Sequence, residues 1–278
     1  MWYNIAIRSM RWDLPTSQST LSCLFSEPCV PFHLSAKYSL TIGQVLWDVS
    51  QGATLYSAEA VTEEGHLISC NTSDTYCALY NMACSQVYNI TVSAHNNVCQ
   101  GMATSKSINL KTEPCPPNNV ETSVDCETGT GAISWEMSVG AFGYIAFFNG
   151  RDGDSLSCHT LAHHTSCMVE GLNCGTVYYA RVRALGETLN STDSTTVLLA
   201  SAPCVPTNVE AEVDCDNATA LVTWGWSNGA QSYILTAMGS DGHQASCHTE
   251  ENYCNMTELA CGQDYDLTLT AINHNCQV

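Results

Sequence analysis

Between Tyr178 and Ala184 apolar and polar positions alternate. Tyr178, Ala180, Val182 and Ala184 fall on one side, and Tyr179, Arg181 and Arg183 on the other. A period of two predicts a strand with one buried face. Just before it, Cys174-Gly175-Thr176 predicts a tight corner. The same corner and strand occur at Cys84 to Ala94, entered through Tyr88, and at Cys261 to Ala271, entered through Tyr265. An aromatic that enters a strand after such a corner is placed to cap the loop backbone with its hydroxyl. Tyr88, Tyr178 and Tyr265 are therefore expected in the core.

The remaining pattern is also threefold. Pro28-Cys29-Val30-Pro31, Pro114-Cys115-Pro116-Pro117 and Pro203-Cys204-Val205-Pro206 open three stretches of similar length. Proline cannot donate to a ladder, so these segments predict linkers and strand edges. Each stretch then has a short apolar run ending in Trp47, Trp135 or Trp224, the expected centres of three cores. Third strands are predicted at 54–60, 144–148 and 233–237. Further short strands are predicted at 68–70, 156–158 and 244–247, then at 77–79, 167–169 and 254–256, with closing strands at 105–111 and 195–200. About seven short strands per repeat, with turns every 8–12 residues, predict an all-β sandwich. The expected organisation is an N-terminal remnant over 1–26 and repeats over 27–113, 114–202 and 203–278. The segment 19–25 resembles a closing strand of an upstream repeat, and 203–278 holds no closing strand. The natural chain is expected to continue in both directions.

Charge changes the picture of partners. With 8 basic against 27 acidic residues the net charge is −19, which repels phosphate backbones and anionic lipid. Nucleic acid is thereby excluded as an expected partner. Seventeen cysteines without a Cys-x-x-Cys pair point to disulfides in an oxidising compartment rather than a zinc ribbon. Five glycosylation sequons agree with an extracellular setting: Asn71, Asn89, Asn190, Asn217 and Asn255. No apolar run is long enough to cross a membrane, so no membrane insertion by this segment is expected. Residues 1–12 carry Asn4, Arg8 and Arg11 and do not read as a signal peptide.

Residues Thr165 to Ala184 are similar to the fibronectin type III signature, with its Val-x-Gly-Leu turn, corner and Tyr-x-x-x-Val-x-Ala strand. With the tryptophans, the resemblance covers 27–278. It implies three tandem fibronectin type III (immunoglobulin-like) β-sandwiches, the third lacking its last strand. Cys84, Cys174 and Cys261 stand where the family usually has proline. Sequence alone leaves fifteen pairings for the six cysteines of repeat three. The type III topology, borrowed from the resemblance, implies Cys247–Cys254, Cys215–Cys261 and Cys204–Cys276. Carried to the other repeats, it implies Cys158–Cys167 and Cys126–Cys174 in repeat two, and Cys70–Cys77 and Cys29–Cys99 in repeat one. Cys84 and Cys115 are then left at facing poles, and an interdomain Cys84–Cys115 bridge is expected. Cys23 is left over.

Other chemistry is weak. Cys158, His159, His163, His164 and Cys167 form the best metal candidate, but repeat three keeps the two cysteines without the histidine pair, which favours a disulfide. No cofactor or metal is expected. Gly-x-Ser-x-Gly is absent and the acidic residues are scattered, so no enzyme is expected. Trp224-Gly-Trp226-Ser-Asn228 is similar to the cytokine-receptor Trp-Ser-x-Trp-Ser box, but with glycine at its second position and on the wrong strand; a core role is expected. Arg181 and Arg183 read as a solvated face. The expected function is a non-catalytic extracellular spacer and interaction module for proteins of unknown identity. Two alternatives are the ectodomain of a surface receptor or adhesion protein, and the accessory array of an enzyme.

Overall fold

In the computed structural model, residues 2–3, 24–25, 27–97, 102–260 and 262–278 are described. Alternation writes the strands. Repeat one has β1 (Ser35–Ser39), β2 (Ile42–Leu46), β3 (Leu55–Val61), β4 (Leu67–Thr72), β5 (Tyr76–Leu79), β6 (Val87–His95) and β7 (Ile108–Lys111). Repeat two has β8 (Glu121–Asp125), β9 (Thr130–Ser134), β10 (Gly143–Gly150), β11 (Ser155–Leu161), β12 (Ser166–Val169), β13 (Val177–Leu185) and β14 (Val197–Ala200). Repeat three has β15 (Glu210–Asp214), β16 (Thr219–Thr223), β17 (Ser232–Gly239), β18 (Gln244–Thr249), β19 (Tyr253–Met256) and β20 (Tyr265–Ile272). No helix occurs among the described residues.

Each repeat is two antiparallel sheets face to face. The orders are β1-β2-β5 against β4-β3-β6-β7, β8-β9-β12 against β11-β10-β13-β14, and β15-β16-β19 against β18-β17-β20. Ala103–Thr104 adds a short pairing beside β6, and Trp2–Tyr3 pairs with Leu24–Phe25. Inward positions from both sheets meet in one core per repeat, as stacked sheets require. In repeat two, Tyr144, Ala146 and Phe148 on β10 lie opposite Ala184, Val182 and Ala180 on β13, all fully buried. Small residues on β13 leave room for the two large rings on β10. Trp47, Trp135 and Trp224 are buried just past the ends of β2, β9 and β16. Their indole Nε1 atoms have no partner among the described residues.

The chain divides into two compact units, Met1–Glu113 and Pro114–Val278. Repeats two and three thus lie in one unit. Their interiors differ at the last strand. In repeat two Leu199 of β14 is buried against Gly131, Leu172 and Val169. At the matching place in repeat three, Ala220, Met256, Leu259 and Tyr265 line a cleft of about 500 Å³. Toward the other end of β20 the chain rejoins the sheet at Val278, which exchanges backbone hydrogen bonds with Ala271.

Candidate functional site

The corners come first, because they set the poles. The Tyr88, Tyr178 and Tyr265 hydroxyls accept hydrogen bonds from the amides of Ala83, Asn173 and Ala260, at 2.9, 2.8 and 2.7 Å. Each hydroxyl has a second partner across the turn: His66 Nδ1 at 3.3 Å, Asp154 Oδ2 at 2.9 Å and His243 Nδ1 at 2.8 Å. Burial pushes the Tyr178 hydroxyl above the usual phenol range; the Asn173 amide opposes that shift, and the Asp154 carboxylate adds to it.

A second tyrosine set works at the opposite pole. Tyr56, Tyr144 and Tyr233 accept from the amides of Ser50, Ser138 and Ser227 at 2.8, 2.8 and 2.9 Å. Their rings pack on Trp47, Trp135 and Trp224. Sequence reading placed these tyrosines in strands but missed the caps. The signal is present, since a serine precedes each tyrosine by the same spacing. Also missed is a hydroxyl after the last strand. Ser201 Oγ accepts from the Thr176 amide at 2.9 Å and donates to Asn173 O at 2.8 Å, tying β14 to the corner. Thr112 does the same in repeat one, accepting from the Gln86 amide and donating to Ala83 O.

In repeats two and three these elements build the most developed site among the described residues, the junction between the two sandwiches. The corner and first-turn pole of repeat two meets the loop pole of repeat three. Cys174 in the corner is bonded to Cys204 in the linker, with Cα atoms 4.9 Å apart. Cys126, after β8, is bonded to Cys276, after β20, at 5.4 Å. The expected Cys126–Cys174 and Cys204–Cys276 pairs are therefore incorrect. Each of those pairs joins two cysteines at one pole, whereas the two poles abut and each thiol meets a partner across the boundary.

Backbone approach reinforces the bridges. A Cβ on Gly175 would collide with the Asn228 carbonyl, and one on Gly229 with the Gly175 Cα. Both glycines have positive φ, 64° and 78°, a region open to glycine at little cost. Asn273 then reaches back: its Nδ2 donates to Ser201 O at 2.8 Å, while its Oδ1 accepts from the amides of Asn275 and Cys276. Asn275 Nδ2 donates to Ala200 O at 3.3 Å. Cys204 O accepts from Ser227 Oγ.

The other sulfurs lie elsewhere. Cys70–Cys77, Cys158–Cys167 and Cys247–Cys254 are bonded, with Cα separations of 6.5, 6.3 and 6.5 Å. Each staples the edge of one sheet to the edge of the other within a sandwich. With Cys158 and Cys167 in a disulfide, neither offers a thiolate to His159, His163 or His164. Cys84 and Cys115 are both in disulfides; in sequence they correspond to Cys174 and Cys204. Cys29 and Cys215 are exposed and have no disulfide partner among the described residues. Their expected partners, Cys99 and Cys261, lie outside the described residues, as does Cys23. Asn71, Asn89, Asn190, Asn217 and Asn255 are all exposed. Trp224 is buried, but Trp226 is 71% exposed and stacks on the outside of Tyr233, which corrects the core reading for that residue.

No protein-family model matches the chain. It is 28% identical over 275 residues to a human protein and 26% identical over 262 residues to a mouse protein, 98% and 92% of this chain. Both relatives carry one name. The chain is similar to fibronectin type III domain-containing protein 7. It spans about a third of the length of these relatives, 37% and 34%. Among solved structures it is similar to the FN1–FN3 domains of chicken CNTN1, at 15% identity and TM-score 0.34, covering 90% of this chain and 95% of that one. A two-domain fibronectin type III segment of chicken tenascin gives 16% identity and TM-score 0.36, covering 61% and 98%. By these relatives, the three sandwiches are similar to fibronectin type III repeats.

Proposed function

We propose that this chain is a non-catalytic extracellular spacer and interaction segment of fibronectin type III repeats, in which repeats two and three are held at a fixed orientation to present their sheet faces. The observation that carries the reading is the junction. Two disulfides, a glycine-to-glycine backbone approach and two asparagine bonds all tie repeat three to repeat two. Flexible tandem domains share small polar interfaces and move; a doubly cross-linked one does not. Disulfide density and five exposed sequons support an oxidising, secretory setting. Binding would then use loops or an exposed sheet face.

Two measurements test this. Residual dipolar couplings on the intact chain are expected to fit repeats two and three with one alignment tensor, and with two after C126S/C174S/C204S/C276S. Independent tensors in the unaltered chain contradict the spacer role. Expressed in animal cells as part of its natural polypeptide, the segment is expected to carry endoglycosidase-sensitive glycans. A reduced, unglycosylated cytosolic pool overturns the extracellular reading.

A further inference from the structure

On repeat two, the outward side of β10 and β13 carries a surface that its counterparts lack. Phe147 lies opposite Arg181, and Ile145 opposite Arg183. Both guanidinium carbons sit 5.4 Å from the Phe147 ring centroid. Asp193 holds both arginines, through Arg181 Nε at 2.8 Å and Arg183 Nε at 2.6 Å. Beside them, Tyr179 faces Leu198, and these are 45% and 61% exposed. The equivalent cross-strand pairs are Glu59 with Thr91 in repeat one and Thr236 with Thr268 in repeat three. Repeat one also carries a sequon on this face, at Asn89, whereas the sequon of repeat two is in the loop after β13.

Charge tells what such a face would take. The chain has only 8 basic residues, and two of them are pinned here side by side. One carboxylate serves two guanidinium groups, so the patch keeps a net positive charge. Stacking and the shared carboxylate hold both side chains in place, so little rotamer entropy remains to be lost on binding. Arginine beside tyrosine is also the composition of interface hot spots.

We propose that this face docks an acidic, extended segment of a partner protein. Carboxylates two residues apart on that segment meet Arg181 and Arg183, and an apolar side chain two positions further lies on Tyr179 and Leu198. The two-residue spacing matches because both strands rise about 3.3 Å per residue. A foreign segment is favoured over a second copy because two chains of charge −19 repel each other. The proposal rests on the reading of the chain as a binding segment, yet its test does not depend on where the protein is secreted.

The test is surface plasmon resonance on the full chain, with an immobilised peptide Leu-Thr-Glu-Thr-Glu-Thr. Binding at about 50 mM salt is expected to weaken steeply as salt rises. R181Q should lower affinity about fivefold or more, since charge-assisted forks are among the stronger hydrogen bonds. It leaves Arg183 to hold Asp193, so the fold is kept, as an unchanged melting midpoint would verify. R181Q/R183Q should abolish binding, and an isomeric peptide with adjacent glutamates should bind about threefold more weakly. No binding to the unaltered chain, or equal binding by folded R181Q, overturns the proposal. So does a dimer in sedimentation velocity that R181Q dissolves, because it would assign the face to a second copy.

Discussion

The edge staples and the junction bridges use the same chemistry for different ends. Cys158–Cys167 closes a short span, with a sequence separation of 9, inside one core. Cys126–Cys276 closes a separation of 150 between two cores. If a cross-link acts by restricting the unfolded chain, the longer loop should stabilise more, about 5 against about 2.5 kcal/mol. That holds only when the bridged regions unfold together. Where two sandwiches unfold separately, a bridge between them fixes orientation and adds little to either. The difference teaches that staples serve stability and bridges serve geometry.

The strongest way to break the comparison is to damage one core. Trp135→Ala is expected to destabilise repeat two by about 3–5 kcal/mol while Cys174–Cys204 and Cys126–Cys276 still form; denaturant midpoints and a non-reducing peptide map read both. Next is the staple. C158S/C167S should cost repeat two about 2.5 kcal/mol in the same denaturation measurement and leave the shared alignment tensor intact. Smaller still is Tyr178→Phe, which strips the Asn173 amide of its acceptor at about 1–2 kcal/mol, against no change in repeat three.

The least effect concerns acid. Asn173 Nδ2, the Asp154 amide and the Thr176 hydroxyl all donate to Asp152, and they hold its carboxyl below the usual carboxylate range. A depressed folded value means that the contribution is complete above the ordinary value of about 3.8 and fades as pH falls through the lower folded one. Stability followed from pH 5 downward should therefore fall less steeply in Asp152→Asn. An identical acid limb would remove Asp152 from the account.

Much of each sandwich is legible from local pattern. Alternation at Tyr178 to Ala184 marks β13, the tryptophans mark the cores, and the fibronectin type III resemblance implies the Cys158–Cys167 staple. The junction is harder, because alternation says which face is buried but not which pole meets which. Cys126 and Cys174 share a pole, so pairing them looks natural until repeat three is set against it. A clue existed: Cys174 and Cys204 occupy the places of Cys84 and Cys115, for which the fibronectin type III resemblance implied a cross-domain link rather than a link within one repeat. Nothing in the sequence announces the Gly175 and Gly229 approach or the reach of Asn273, because both depend on the final distance between two domains.

The account stands on the sulfurs that cross from repeat two to repeat three. Proteolysis of the non-reduced protein followed by mass spectrometry reads them directly. The expected products are peptides joining Cys174 to Cys204 and Cys126 to Cys276. Peptides joining Cys126 to Cys174 and Cys204 to Cys276 would return each sandwich to its own bridges and contradict the fixed junction.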